Sequence, residues 1–289
     1  MSGTYLVAGL LVLVVLLIAT RRRAPKAGSR DHTAHHGEFR KFVREHDRTK
    51  GPDSSLGKDF WKSRNVRYCT ESAPFVDQKN ATGLDAALAD DEHGKYGEAA
   101  TSAIVARTAA DDHRRHFLLQ NVYIPTHAGY TEIDTVLLHE TGIYVFETKN
   151  ISGTISGSIE LRDWTQIIGD RVSHTLYNPV FQNMGHMGAL LRHLHVPLET
   201  AHIYSFVVFS DRCTLRLVPV SGDFGNGDDC WCVVHLGQLK ENLHECLRHR
   251  KSVYSPKQLE SWRKALNSCV NVKNQVKEIH RAQVQKMHS

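Results

Sequence analysis

The chain has 289 residues, 41% of them hydrophobic and 23% charged, and its formal net charge is +5. This length allows one good-sized hydrophobic core with appendages. The mild positive charge suits a polyanionic partner or a membrane surface and does not choose between them. No GxxxxGK[ST] string occurs, which argues against a P-loop ATPase.

The amino-terminal residues 4–20, "TYLVAGLLVLVVLLIAT", carry no charge and are followed at once by three arginines. About 17 apolar residues form a helix of about 25 Å, which is enough to cross a hydrocarbon core. A secretory signal would place its positive charge before the apolar run, so we expect an uncleaved transmembrane helix. The positive-inside rule then places the amino terminus outside and the rest of the chain in the cytoplasm.

The region that follows, residues 21–90, is polar and basic. Between residues 21 and 67 it holds 14 Lys and Arg against 6 Asp and Glu, a net charge of +8. The favoured interpretation is a linker held near anionic lipid headgroups, and a tether for nucleic acid is the alternative. Residues 38–48 have the pattern of a short helix.

A folded α/β module is predicted for residues 91–212. Its apolar pattern predicts a helix at 94–109, strands at 117–125, 131–140 and 141–150, a helix at 178–194 and a strand at 201–210. Asn178 is the expected helix cap, with Pro179 at the first helical position. Residues 213–289 are predicted to form short strands (216–220 and 231–235) and helices at 236–250 and 256–285.

The six cysteines include no CxxC pair, so buried reduced thiols are the favoured interpretation. A zinc site made of Cys230, Cys232 and His235 is the alternative. Trp164 is expected in the core rather than as a platform for base stacking. His186 and His193 lie on one helix but lack a third metal ligand.

The two central strands form a predicted hairpin whose end is charged. With a two-residue turn at 140–141, Asp134 faces Glu147 and Glu132 faces Lys149 on one side of the sheet. Facing carboxylates repel each other, by roughly 3 kcal/mol at 5 Å in an effective dielectric of about 20. A hard divalent cation would offset the repulsion. A structural cluster with a shared proton would also do so, and the hairpin alone leaves both open.

Four short strings in the module are specific: "GE" at 97–98, "EID" at 132–134, "ETKN" at 147–150 and "NPVFQ" at 178–182. Over roughly residues 93–210 they resemble the nuclease-related domain, known as the NERD family, which is grouped with the PD-(D/E)xK restriction-endonuclease-like fold. Ile133 stands where the superfamily name has Pro. The resemblance implies an α/β fold with a restriction-endonuclease-like mixed sheet flanked by helices, beside the transmembrane helix and a helical carboxyl-terminal extension.

The resemblance also implies a metal-dependent site. Asp134 and Glu147 match the residues that hold Mg²⁺, with Mn²⁺ as the alternative ion, and Glu98 matches the acid that completes the metal shell. Lys149 matches the lysine that places the attacking water and stabilises charge on phosphorus. Gln182 matches a polar residue that contacts substrate or orients a ligand.

The function expected from these features is that of a membrane-anchored, Mg²⁺-dependent nuclease acting on nucleic acid, with DNA favoured, in the cytoplasm. The first alternative is a non-catalytic module that binds nucleic acid or a protein at the membrane. The lack of a strongly basic groove in residues 93–210 favours it, although Arg107, Arg114 and Arg115 could line one edge. The second is a scaffold built on the carboxyl-terminal helix. Metal-dependent cleavage would distinguish the nuclease from both alternatives.

Overall fold

The computed structural model describes residues 67–68, 83–159, 161–169, 172–216, 218–223 and 229–288. The strands are β1 (Arg67–Tyr68), β2 (His116–Thr126), β3 (Gly129–His139), β4 (Gly142–Lys149), β5 (Gly153–Ser156), β6 (Asp163–Ile168), β7 (Val172–Tyr177), β8 (Ile203–Phe209), β9 (Cys213–Arg216), β10 (Pro219–Asp223) and β11 (Asp229–His235). The helices are α1 (Gly83–Ala110), α2 (Pro179–His193), α3 (Leu236–His249), α4 (Pro256–Leu266) and α5 (Asn274–His288), with 3-10 turns at Leu198–Thr200 and Asn267–Cys269.

The expected transmembrane helix at 4–20 and the short helix at 38–48 lie outside the described residues. Within the described part of the chain, no helix has the length and apolar character needed to span a membrane.

Two mixed sheets form the framework. The first has seven strands in the order β1-β10-β11-β8-β4-β3-β2, and the second has four in the order β7-β6-β5-β9. In the first sheet β3 and β4 are antiparallel, whereas β4 and β8 run parallel. A parallel pair needs a crossover connection, and here α2 lies within that connection. The coarse expectation of a mixed sheet flanked by helices is confirmed.

Alternating side chains of β4 divide the core into two layers. Ile143 and Val145 face the layer that contains Met187 and Leu190 of α2. The intervening Tyr144 and Phe146 face the opposite layer, which contains residues of α1 and α3. Because side chains alternate along a strand, the odd-numbered residues at the end of β4 also point toward α2.

The smaller sheet packs beside the first turns of α2. Trp164 is 1% exposed and lies in the same cluster as Val180, Phe181 and Phe209. Its indole N–H donates to the Ser158 carbonyl at 3.0 Å. The prediction that Trp164 belongs to the core is therefore confirmed.

The sequence pattern was wrong in two places. The helix expected at 256–285 is two helices, α4 and α5, separated by a 3-10 turn and by Asn271, whose φ of 57° interrupts helical geometry. The second sheet was not predicted at all. Its strands are short and β7 is mostly exposed, so they lack the long apolar runs of the central strands.

Candidate active site

The β3–β4 hairpin has the predicted register over its inner part. Thr135 pairs with Phe146, Leu138 with Ile143 and His139 with Gly142. The ladder ends at Thr135, however, and beyond it the strands separate. The Asp134 carboxylate fills the gap by accepting the Thr148 backbone N–H at 2.8 Å.

The expected pairing of Glu132 with Lys149 is wrong. Glu132 pairs instead with Tyr123 of β2, whose hydroxyl donates to the Glu132 carboxylate at 2.5 Å. His280 of α5 lies 3.6 Å from the other carboxylate oxygen. Because the β3–β4 ladder ends before Glu132 is reached, this acid belongs to the α5 contact and not to the cluster around Lys149.

Three of the predicted residues meet at the end of β4. Lys149 Nζ lies 2.7 Å from Glu147 Oε1 and donates to Gln182 Oε1 at 2.9 Å. The side chains of Glu147 and Lys149 are 4% and 18% exposed, so this ion pair is almost buried. Gln182 reaches it because α2 begins at Pro179, capped by the Asn178 side chain as predicted.

His186 is a member of the site that sequence reasoning dismissed. Its Nε2 lies 3.1 Å from Glu147 Oε2, and its Nδ1 lies 2.9 Å from the Thr131 hydroxyl. The neutral Nε2–H tautomer satisfies both contacts, since Nε2–H donates to the carboxylate and Nδ1 accepts from Thr131. The signal was present in the sequence, because residues 182 and 186 are four apart on one helix and share a face.

The middle of α1 brings Glu98 to the same place. Gly97 packs so closely on Asn150 that an added Cβ would lie 2.5 Å from the Asn150 Cβ. One turn later, Thr101 accepts a hydrogen bond from Thr148, and Ser102 contacts Thr135. Glu98 is half-buried, and its charge contributes to the pKa shifts at both Asp134 and Lys149.

The pKa values of the two central acids, Asp134 and Glu147, are shifted in opposite directions. Desolvation, with the charges of Glu147 and Glu98, raises the pKa of Asp134 well above its usual value. Burial also acts to raise the pKa of Glu147, but the Lys149 ammonium and the His186 ring outweigh it and lower that pKa to about 2. The site therefore has one carboxylate whose charge is compensated by protein groups and one, Asp134, for which the Thr148 N–H and the Lys149 charge do not outweigh desolvation and repulsion.

This arrangement fits a hard divalent cation at Asp134. No three His, Cys, Asp or Glu side chains among the described residues are arranged as ligands of one metal ion. Mg²⁺ does not need three, because it commonly uses one or two carboxylates and retains several waters. A cation beside Asp134 would relieve the repulsion that raises its pKa. The residues that would hold the ion are Asp134 and Glu147, with Glu98 nearby.

The other predicted residues lie elsewhere. Arg114 is bound to Asp112 at 2.5 Å and to the Leu247 carbonyl, near the end of α3. The Arg115 guanidinium lies 4.7 Å from the centre of the Phe117 ring. Both arginines precede β2 and lie at the hairpin-turn end of the sheet, so they do not line the candidate site.

The zinc alternative gains no support from the part of the chain whose side chains are described. Cys232 is half-buried and forms no disulfide among the described residues, and His235 Nδ1 contacts the Ser210 carbonyl at 3.3 Å. The side chain of Cys230 lies outside the described residues. His193 contacts the Cys269 thiol at 3.5 Å and does not join His186.

The structure thus has a mixed sheet between helices, with acids and a lysine at the end of the central strand β4. Residues 93–210 match the family model described as the nuclease-related domain, NERD. An uncharacterized protein of Bacillus anthracis is 34% identical over 128 residues, which are 44% of this chain. The chain spans 57% of that relative's length. No solved structure gives a significant match.

Proposed function

We propose that this protein is a nuclease that hydrolyses phosphodiester bonds in nucleic acid, with DNA as the favoured substrate and Mg²⁺ or Mn²⁺ as cofactor. The observation that carries the proposal is the convergence of Asp134, Glu147 and Lys149 at one buried strand end, where Asp134 accepts a backbone N–H and, among the described residues, has no cationic hydrogen-bond partner. Asp134 and Glu147, with Glu98, would hold the ion. When bound, the ion would polarise the phosphate and lower the pKa of a coordinated water.

The protein groups have separate tasks in this proposal. Lys149 presents a fixed positive charge where negative charge develops on the phosphoryl oxygens, and such preorganised charge is a large contribution to catalysis. Gln182 positions the Lys149 ammonium, because the Gln182 side-chain oxygen accepts a hydrogen bond from it. His186 orients the Glu147 carboxylate from the opposite side, as outer hydrogen bonds commonly do for metal-ligating carboxylates.

The test is a cleavage assay with the full-length protein on plasmid and single-stranded DNA, in Mg²⁺, Mn²⁺ or EDTA. Asp134→Asn and Lys149→Met are expected to abolish metal-dependent cleavage. Glu132→Gln is the matched control, because this acid lies two residues from Asp134 and outside the site. Cleavage that survives in Lys149→Met, or that proceeds equally in EDTA, would contradict the proposal.

A non-catalytic binding module is the second candidate. The observation that favours it is that both Glu147 oxygens are already occupied, one by Lys149 and one by His186. A folded wild-type protein that binds DNA and cleaves none of the substrates in any of the metals would establish this alternative.

We also propose that residues 4–20 anchor the protein in a membrane, with the domain in the cytoplasm. The uncharged run followed by three arginines supports this. The test is fractionation of cells that express the wild type or Leu13→Arg. Membrane recovery of the wild type after alkaline extraction, lost in the variant, is the expected result. Equal recovery of both would contradict it.

A further inference from the structure

An exposed aromatic side chain and a positioned arginine lie on the β8 side of the candidate active site. Tyr96 is 71% exposed, more than any other large hydrophobic side chain among the described residues. Arg212 is exposed at the end of β8, and its Nη2 donates to the Asn150 carbonyl at 3.0 Å and to the Asn150 side-chain oxygen at 3.1 Å. Asn150 directly follows Lys149, so Arg212 is fixed beside the reacting end of β4.

The loop that carries Arg212 is fastened to the strand end. The Ser210 N–H donates to the Lys149 carbonyl at 3.0 Å, and the Ser210 hydroxyl donates to the Ile151 carbonyl at 2.6 Å. The next residue, Asp211, accepts the Gly237 N–H at the start of α3. These hydrogen bonds fix the loop backbone on both sides, and the contacts with Asn150 hold the Arg212 guanidinium in one position.

Helix geometry places Tyr96 on the same side. Gly97 packs on Asn150, which directly follows β4, and the charge of Glu98 acts on Asp134 of β3. Successive residues in an α-helix are rotated by about 100°. Tyr96 and Glu98 therefore project from α1 on opposite sides of Gly97. Glu98 projects toward β3, so Tyr96 projects toward β8, where Arg212 lies.

We propose that Tyr96 and Arg212 form a subsite for a single strand of nucleic acid that leads into the active site. This inference rests on the proposed function, since it takes nucleic acid as the ligand. A guanidinium has five N–H donors, and the contacts with Asn150 use only one nitrogen of Arg212. The remaining donors suit a phosphate, which arginine binds in a forked geometry. Tyr96 supplies a face on which an unpaired base stacks, whatever its identity.

The test is equilibrium binding of a short fluorescent oligothymidylate to the full-length protein in EDTA, as a function of salt. Tyr96→Ala is expected to weaken binding about fivefold or more, whereas Tyr96→Phe retains it. Arg212→Ala is expected to weaken binding and to reduce the slope of log K against log salt by about 0.7. Arg248→Ala is the matched control, because this arginine is equally charged, 63% exposed and near the far end of α3.

The results separate this inference from the nuclease proposal. Weaker binding by Tyr96→Ala and Arg212→Ala, in a protein that cleaves nothing, would support the subsite and reject the nuclease. Unchanged affinity in Tyr96→Ala, or an equal loss in Arg248→Ala, would overturn the subsite while wild-type cleavage still stands. If Arg212→Ala weakens binding to phosphatidylserine vesicles and not to the oligonucleotide, the patch is a lipid contact and the inference is wrong.

Discussion

Replacing Asp134 by asparagine is expected to stabilise the metal-free protein while removing its activity. Asparagine retains a side-chain oxygen that can accept the Thr148 N–H, so the backbone contact at 2.8 Å is kept. The substitution removes a charge that is desolvated and repelled by Glu147 and Glu98. Two carboxylates about 6 Å apart in an effective dielectric of about 20 repel each other by about 3 kcal/mol.

Lys149 offsets part of this repulsion, so we expect Asp134→Asn to raise the free energy of unfolding by about 1–2 kcal/mol. For a folded region of this size, that corresponds to an increase in Tm of about 2–8 °C. The assay is thermal unfolding in EDTA, with Glu132→Gln as the control. Addition of Mg²⁺ at about 100 times its Kd should stabilise the wild type by about 2.7 kcal/mol, and should leave Asp134→Asn unchanged.

The pH dependence of the same variant provides a second check. A carboxyl group with a raised folded-state pKa binds its proton more tightly in the folded protein, so its penalty is present at neutral pH and is relieved as pH falls. The stability gap between Asp134→Asn and wild type should therefore narrow on acidification. A variant with a lower Tm than wild type in EDTA, or Mg²⁺ stabilising both proteins equally, would refute the reasoning.

Three further predictions concern residues that stabilise the fold or the packing of α1 and α2. His139 is fully buried, and desolvation is the main cause that lowers its pKa to about 4. Below about pH 6.5 the His139 ring is therefore protonated in the unfolded state but still neutral in the folded state. Stability should then fall between pH 6.5 and 4 by up to about 3 kcal/mol, and urea unfolding of His139→Gln should show a flatter profile. Asn178→Ala removes the α2 cap and the bond to the Leu161 carbonyl, which should cost about 2–3 kcal/mol in urea unfolding; retention of full stability would contradict it. Gly97→Ala places a methyl group 2.5 Å from the Asn150 Cβ and should reduce cleavage by moving the middle of α1 away from the end of β4, whereas unchanged kcat/KM would show that this contact is not required.

The sequence predicted the central part of the fold because its signals are local and strong. The apolar runs at 131–140 and 141–150 with a short turn specify a hairpin, and the observed pairing of Val136 with Val145 has the expected register. Asn178 followed by proline specified the start of α2 for the same reason. By contrast, β5, β6 and β7 are short and partly exposed, so their pairing depends on tertiary contacts that no local pattern contains.

The positions of site residues could be predicted where they follow from side-chain alternation along a strand. They could not be predicted where β3 separates from β4. Alternation correctly placed Glu147 and Lys149 on the α2 face. The separation of β3 from β4 beyond Thr135 was not visible in the sequence, and it removes Glu132 from the cluster. His186 was missed because it was judged as a metal ligand, whereas it acts as a hydrogen-bond partner of a carboxylate.

The parallel pairing of β4 with β8 sets the order in which the centre can be completed during synthesis. Until β8 has been made, β4 pairs only with β3, and α2, which carries Gln182, lacks one of the strands on which it packs. Contacts between elements distant along the chain form later than hairpins, since the intervening loop must close first. We therefore expect that a nascent chain ending before β8 lacks an assembled acidic centre. On this topology, the acidic centre is completed only when almost all of residues 93–210 have been translated.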